Sequence, residues 1–282
     1  LRSGHPWIYR ADVMEADAAG GEIVAVVGPR NRTLGHALFS DESQITLRML
    51  SLGEGEVGLA LIRVRLERAI AFRLTLGIDA SAYRLVHAEG DLLPSLVVDR
   101  YGDYLVVQTL SQGMDRLLPD IVSMLAELMT PTGILARNDP KVRALEGLEQ
   151  KVEVVFGTVP ASVTAREGPV EFDVDLRKGQ KTGLFLDQRE NREAAARYAR
   201  GRLLDCFSYN GGFGLRLARH CPHAEAIDIS ADAVARIRAN ADRNGVPHLV
   251  AREANVFDEL RRLARIEGRH YLVGKLRKSR RK

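Results

Sequence analysis

From about residue 176 onward, helical stretches alternate with short apolar runs, and this alternation leaves few folds open. Helical spacing over 188–200, 212–220, 231–244 and 257–266 is interrupted by strand-like runs at 203–207 and 224–228. Strands separated by helices pair in parallel and are covered by helices on both faces, which predicts a Rossmann-like α/β sheet. About four strands fit before residue 282, and a doubly wound sheet usually holds more.

The chemistry of this region is concentrated in Leu203-Leu204-Asp205-Cys206-Phe207-Ser208-Tyr209-Asn210-Gly211-Gly212-Phe213-Gly214. An apolar strand ends in a glycine-rich turn that opens a helix. Glycines let a ligand approach the backbone, and the helix start offers unpaired N–H groups. About sixteen residues later, Ala224-Glu225-Ala226-Ile227-Asp228 ends the next strand in a carboxylate placed to accept both hydroxyls of a ribose. A dinucleotide site would put G-x-G-x-x-G directly after the first strand. Here Asp205 stands at the strand end and the glycines come six residues later. A carboxylate there repels a pyrophosphate and attracts an ammonium. S-adenosylmethionine has that ammonium and no phosphate, so it is the predicted cofactor. The competing structural reading makes Gly211 and Gly212 turn formers and Asp205 their cap.

Upstream, 1–52 reads as a small β domain, with runs at 22–27, 35–39 and 45–49 separated by turn-rich stretches. Apolar residues at Leu59, Ile62, Leu66, Ile70 and Leu74 predict a helix over 57–76. Arg63, Arg65, Glu67, Arg68 and Arg73 read as its solvated side. A central α+β unit follows, with strands near 85–87, 95–98, 104–108 and 133–137, a helix over 115–129, and a hairpin over 162–175 turning at Glu167-Gly168-Pro169. The predicted domains are therefore 1–75, 76–175 and 176–282.

Hydrophobic residues make up 45% and charged residues 28% of the chain, which excludes disordered, collagenous and coiled-coil classes. Two cysteines provide neither a disulfide framework nor a metal-spaced cluster. No apolar run approaches the roughly 18 residues needed to cross a bilayer, so a soluble, cytoplasmic protein without membrane partners is expected. Lys and Arg number 41 against 37 Asp and Glu. Ten of those bases but only two acids fall in 259–282, leaving 31 bases and 35 acids in 1–258. The excess positive charge thus belongs to the end of the chain, and the folded body must bind nucleic acid through local patches.

Four motifs occur together in order: Gly4-His5-Pro6-Trp7; Glu89-Gly90-Asp91 with Val97-Val98-Asp99-Arg100-Tyr101; Gly179-Gln180-Lys181-Thr182-Gly183-Leu184-Phe185-Leu186-Asp187-Gln188-Arg189-Glu190-Asn191-Arg192; and the glycine-rich loop. Across residues 4 to about 258 the chain resembles the PUA-domain class I methyltransferases that act on cytosine C5 of large-subunit ribosomal RNA. The resemblance implies a small N-terminal PUA-like β-barrel, a central α+β unit and a C-terminal Rossmann-like methyltransferase domain. It implies a ribosomal RNA substrate and allows a homodimer. It places Phe185, Asp187 and Arg189 near the S-adenosylmethionine pocket, Asp205, Ser208, Tyr209, Gly211 and Gly212 in its loop, and Asp228 on the ribose. The acid usual near the adenine amino group maps to Asn255, whose carbonyl can still accept that hydrogen bond. Locally, Asp187 and Glu190 also fit an N-cap with a carboxylate three residues on. His5 and Trp7 lie where the RNA-binding module begins, and packing roles suit both.

Cytosine-5 methylation needs a cysteine thiolate to attack C6 of a flipped base. Cys206 falls inside the cofactor loop and Cys221 follows a helix, so both read as structural, and no catalytic residue is assigned. Family members continue into a fourth strand ending in Asp-Pro-Pro; here His270-Tyr271-Leu272-Val273 leads into Gly274-Lys275-Leu276 and a basic stretch. The expectation is a C-terminally incomplete domain that holds the cofactor and is inactive as written. The alternative is a non-catalytic RNA-binding protein with a vestigial pocket.

Overall fold

The structure, a computed structural model, describes residues 5–55 and 57–267. The chain divides into two compact units, Leu1–Gly168 with Val174–Leu186, and Pro169–Asp173 with Asp187–Lys282. The predicted strand at 270–273 lies outside the described residues.

The first unit opens with β1 (Trp7–Tyr9), β2 (Ile23–Gly28), β3 (Arg32–Phe39) and β4 (Ile45–Leu52), antiparallel and ordered β1-β4-β3-β2. The resemblance implied a barrel, but the described residues form a four-stranded sheet with β1 and β2 at opposite edges. Its two faces differ because strand side chains alternate. Ala37, Phe39, Leu47 and Met49 join Val26 in a small core, while Leu38 and Leu50 point the other way into a larger one. That larger core includes Ile62 and Leu66 of α1 (Leu59–Thr75). Leu38 and Leu50 thus share a core with residues beyond 75, and the two compact units divide elsewhere.

The α1 helix corrects one further expectation. Arg65, read as solvated, is buried; its Nη1 donates to the Leu92 carbonyl and its Nη2 to that of Leu50, each at 2.5 Å. Arg73 grips the Asp91 carboxylate with both terminal nitrogens, at 2.5 and 2.7 Å. Leu74 is exposed.

Next come β5 (Ala82–His87), β6 (Leu96–Tyr101), β7 (Tyr104–Thr109), α2 (Gln112–Arg116), α3 (Leu118–Met129), β8 (Gly133–Asn138) and β9 (Lys151–Gly157). The five strands lie in sequence order, antiparallel except for β7 and β8, which run parallel across the helical crossover. The single helix predicted over 115–129 is two, because Pro119 sits in the first turn of α3, where its missing N–H is harmless. The hairpin β10 (Ser162–Glu167) and β11 (Val170–Asp175) forms as predicted.

The second unit holds α4 (Arg189–Ala196), β12 (Arg202–Cys206), α5 (Gly212–Ala218), β13 (His223–Asp228), α6 (Ala231–Arg243), β14 (Leu249–Glu253) and α7 (Val256–Glu267). β12, β13 and β14 pair in parallel in that order. Short apolar runs make this sheet: Ala224, Ala226, Ile227, Leu249 and Ala251 are buried, alongside Val234 and Ile237 of α6. β14 had no predicted counterpart. Its register puts Cys206 level with Ile227 and Asp228 level with Glu253, so the three carboxyl ends open along one edge.

Candidate functional site

The turn after β12 is held open by its backbone. Phe207 and Tyr209 adopt left-handed φ values of 58° and 56°, flanking Ser208, and Gly211 has φ 86°. Two non-glycine residues in that region cost about 1–3 kcal/mol each, so surrounding bonds must hold them. The Ser208 amide donates to the Ile227 carbonyl at 3.1 Å, and the Gly211 amide to the Ser208 carbonyl at 2.9 Å. The Tyr209 amide donates to Asp228 Oδ2 at 2.8 Å, and the Ser230 amide to Asp228 Oδ1 at 3.0 Å. Asp228 therefore ties the first loop to the second and still presents a partly exposed carboxylate at the strand end.

Asp205 is placed differently. Its Oδ2 accepts from Ser208 Oγ at 2.5 Å and from the Gly214 amide in the first turn of α5 at 2.8 Å. Burial pushes its carboxyl above the ordinary range, against the pull of those two donors and of the Arg192 cation; the negative charge of Asp228 adds to the rise. Burial, with Asp205 beside it, also raises the Cys206 thiol, which stays protonated and a poor nucleophile. Cys221 is buried.

The described residues thus bring Asp205, Ser208, Tyr209, Gly211, Gly212 and Asp228 together at the carboxyl ends of β12 and β13. The other expected residues belong to other segments. Phe185 belongs to the first unit, where Lys181 Nζ lies 4.5 Å from its ring centre. Asp187 is exposed on the turn before α4 and accepts from Gln188 Nε2 at 3.1 Å. It does not cap α4: the N-cap is Gln188, without a side-chain cap, and Glu190 accepts from Arg189 Nε at 3.1 Å. Asn255 follows β14, and its Oδ1 accepts from the amides of Phe257 and Asp258 at 3.0 and 3.4 Å. The oxygen expected to face adenine is therefore occupied in starting α7.

Several residues at this edge were not read from the sequence. Phe207, Ile229 and Phe257 are exposed apolar side chains following β12, β13 and β14, and the two phenylalanine rings meet edge-on with centres 5.6 Å apart. Apolar residues directly after strand ends were the available signal. Asn240, fully buried on α6, donates to the Asn210 carbonyl at 3.2 Å and fixes the loop from below. Its position on the apolar stripe of that helix was the clue. Among the described residues no group of three His, Cys, Asp or Glu is arranged to hold a metal ion, and no helix is long and apolar enough to cross a membrane.

The donor set fits S-adenosylmethionine. Two carboxylates stand at adjacent strand ends, and three apolar side chains follow the strands at the same edge.

In the first unit the motifs are bound to each other. The Asp99 carboxylate receives Arg84 Nε and Nη2 at 2.9 and 3.0 Å and Thr182 Oγ1 at 2.6 Å. Tyr101 and Thr182 share a 3.0 Å hydroxyl contact, and the Leu184 amide donates to the Tyr101 hydroxyl at 3.1 Å. Trp7 Nε1 donates to Glu89 Oε1 at 2.9 Å.

Comparison with known proteins gives a consistent picture. A family model described as a PUA-like domain matches residues 1–52. The Ribosomal RNA large subunit methyltransferase I of Tolumonas auensis is 37% identical over 91% of this chain and 68% of its own length. The protein of the same name from Shewanella amazonensis is 37% identical over 95% of this chain and 70% of its own length. Among solved structures, a protein from Streptococcus mutans described as a SAM-dependent methyltransferase shares the fold with a TM-score of 0.79 at 19% identity, over 94% of this chain and 70% of that one.

Proposed function

The chain belongs to the family of Ribosomal RNA large subunit methyltransferase I, and from that premise we propose that it binds S-adenosylmethionine, the methyl donor for a family reaction at cytosine C5 of large-subunit ribosomal RNA. The observation that carries the reading is the pair of carboxylates, Asp205 and Asp228, at adjacent parallel strand ends on either side of a glycine turn. Asp205 would accept the ammonium of the cofactor, and Asp228 the ribose hydroxyls. Ser208, Tyr209, Gly211 and Gly212 would line the amino-acid end. Phe207, Ile229 and Phe257 would cover the adenine, with Asn255 setting the start of α7 behind them. Phe185, Asp187 and Arg189 complete the proposed set by resemblance.

When bound, S-adenosylmethionine supplies a methyl group on a sulfonium centre. This chain's strand-end residues would orient it. The cytosine step also needs a thiolate, and neither Cys206 nor Cys221 is suited to it: burial raises the Cys206 thiol at the end of β12, and Cys221 is buried. The proposal is therefore cofactor binding without methyl transfer by this 282-residue polypeptide. The PUA-like residues 1–52 are the proposed ribosomal RNA contact, the cytoplasm the proposed location, and a homodimer the proposed assembly.

Calorimetry tests the cofactor reading: S-adenosylhomocysteine should bind, and NADH should not. NADH binding without a response to S-adenosylhomocysteine would overturn it. Tritium transfer from labelled S-adenosylmethionine to unmodified large-subunit RNA should stay at background. Incorporation that vanishes in Cys206→Ser or Cys221→Ser would assign the nucleophile to that residue, and label on a base other than cytosine would refute the C5 assignment.

A further inference from the structure

One buried cation in the second unit has no part in the assignment above. Arg192 leaves the middle of α4 and is 5% exposed. It lies over the start of α5. A Cβ on Gly212 would stand 2.7 Å from Arg192 Nε and 3.2 Å from its Cζ, and the same Cζ is 5.8 Å from the Phe213 ring centre. Two residues further along α5, the Gly214 amide reaches Asp205. The guanidinium thus occupies the space beside the glycine turn that any side chain at 212 would need.

The surroundings of Asp205 show what that placement does. The loop after its own strand gives it the Ser208 hydroxyl and α5 the Gly214 amide, while it feels the like charge of Asp228 from β13 and the Arg192 cation from α4. The Leu249 methyls of β14 pack beside Gly214. A buried carboxyl beside a second carboxylate tends to take up a proton, and a protonated acid cannot pair with an ammonium.

We propose that Arg192 is a positioning residue for the amino-acid end of the cofactor: it keeps Asp205 in its carboxylate form and sets the Gly211-Gly212 turn. The inference rests on the reading of Asp205 as the ammonium partner. Arg192 acts through Asp205 and needs no contact with the cofactor itself.

Calorimetry on the full chain at pH 6 and pH 8 tests this, with S-adenosylhomocysteine and adenosine as probes. Adenosine keeps the adenine and ribose and lacks the ammonium. In the unsubstituted chain, S-adenosylhomocysteine should bind within about two-fold at the two pH values. Arg192→Gln should weaken it about ten- to hundred-fold at pH 6 and less at pH 8, the loss of one charge-assisted contact, while adenosine changes by no more than about two-fold. Arg192→Lys should restore the flat profile. Equal losses for both probes, or a loss independent of pH, would reduce Arg192 to packing and overturn the proposal. Where Arg192→Gln does not fold, the unsubstituted chain decides: a fall of about ten-fold from pH 8 to pH 6 means Asp205 titrates despite Arg192, and the proposal fails. A chain that binds neither probe would overturn the cofactor reading, and this inference with it.

Discussion

Asp205 and Asp228 are both strand-end carboxylates, yet their surroundings set them to different tasks. Asp228 is partly exposed and spans two loops through backbone amides. Replacing it with alanine removes acceptors for both the loop and the ribose, so S-adenosylhomocysteine affinity should fall by about 1.5–3 kcal/mol, read by calorimetry. Asp205 is also only partly exposed, but desolvation raises its carboxyl above the ordinary value of 3.8. The native state therefore holds that proton more tightly than the unfolded chain, and the contribution of this group to stability falls as pH rises through the window above 3.8. Asp205→Asn keeps an acceptor for Ser208 and Gly214 without the buried charge. Thermal melts at pH 7 should show it at least as stable as the unsubstituted chain, while S-adenosylhomocysteine binding is lost. Lower stability at pH 7 together with retained binding would contradict both halves of this account.

At the level of elements, the segment from Gly179 to Leu186 is a strap without regular structure until its last residue, held by side chains. Arg137, buried at the end of β8, donates to the Leu176 and Gly179 carbonyls at 2.7 and 3.0 Å. Thr182 fastens the next turn to Asp99 of β6. Asp99→Ala would strand the Arg84 guanidinium and the Thr182 hydroxyl together. Breaking one side of such a buried pair costs about 3–5 kcal/mol, and the partial exposure of Arg84 points to the lower end. Urea unfolding at pH 7 should show about 3 kcal/mol lost; a loss within experimental error would mean the strap is held elsewhere. The α7 helix depends on charge in the opposite sense to Asp205. Hydrogen bonds from Arg262 and Arg252 pull the Glu259 carboxyl down to about 2. Its contribution is present above the ordinary value of 4.5 and disappears as pH falls through about 2. Glu259→Gln should therefore lower the melting temperature at pH 7 and leave it unchanged near pH 2.

For the whole molecule, the shared core predicts that the first 75 residues do not fold alone. Leu38 and Leu50 would face water once β5–β8 and α3 were removed. A 1–75 fragment should give broad, poorly dispersed amide spectra, and 1–186 a dispersed one; a well-folded 1–75 fragment would contradict the packing described above. The alternation of helix and strand, the glycine turn after Asp205 and the acid at 228 were all legible in the chain, because each depends on residues close in sequence. The helix break at Pro119 could have been read the same way. The burial of Arg65 could not, since an arginine on a helix looks solvated until a strand carbonyl such as that of Leu50 arrives from elsewhere. The same holds for Arg192 over Gly212, for Asn255 turned to its own helix, and for the joining of Asp99 to Thr182. Local periodicity and turn chemistry determined the elements and the class of ligand. Which polar groups are buried, paired or charged was decided only when distant segments closed over them and took away the water.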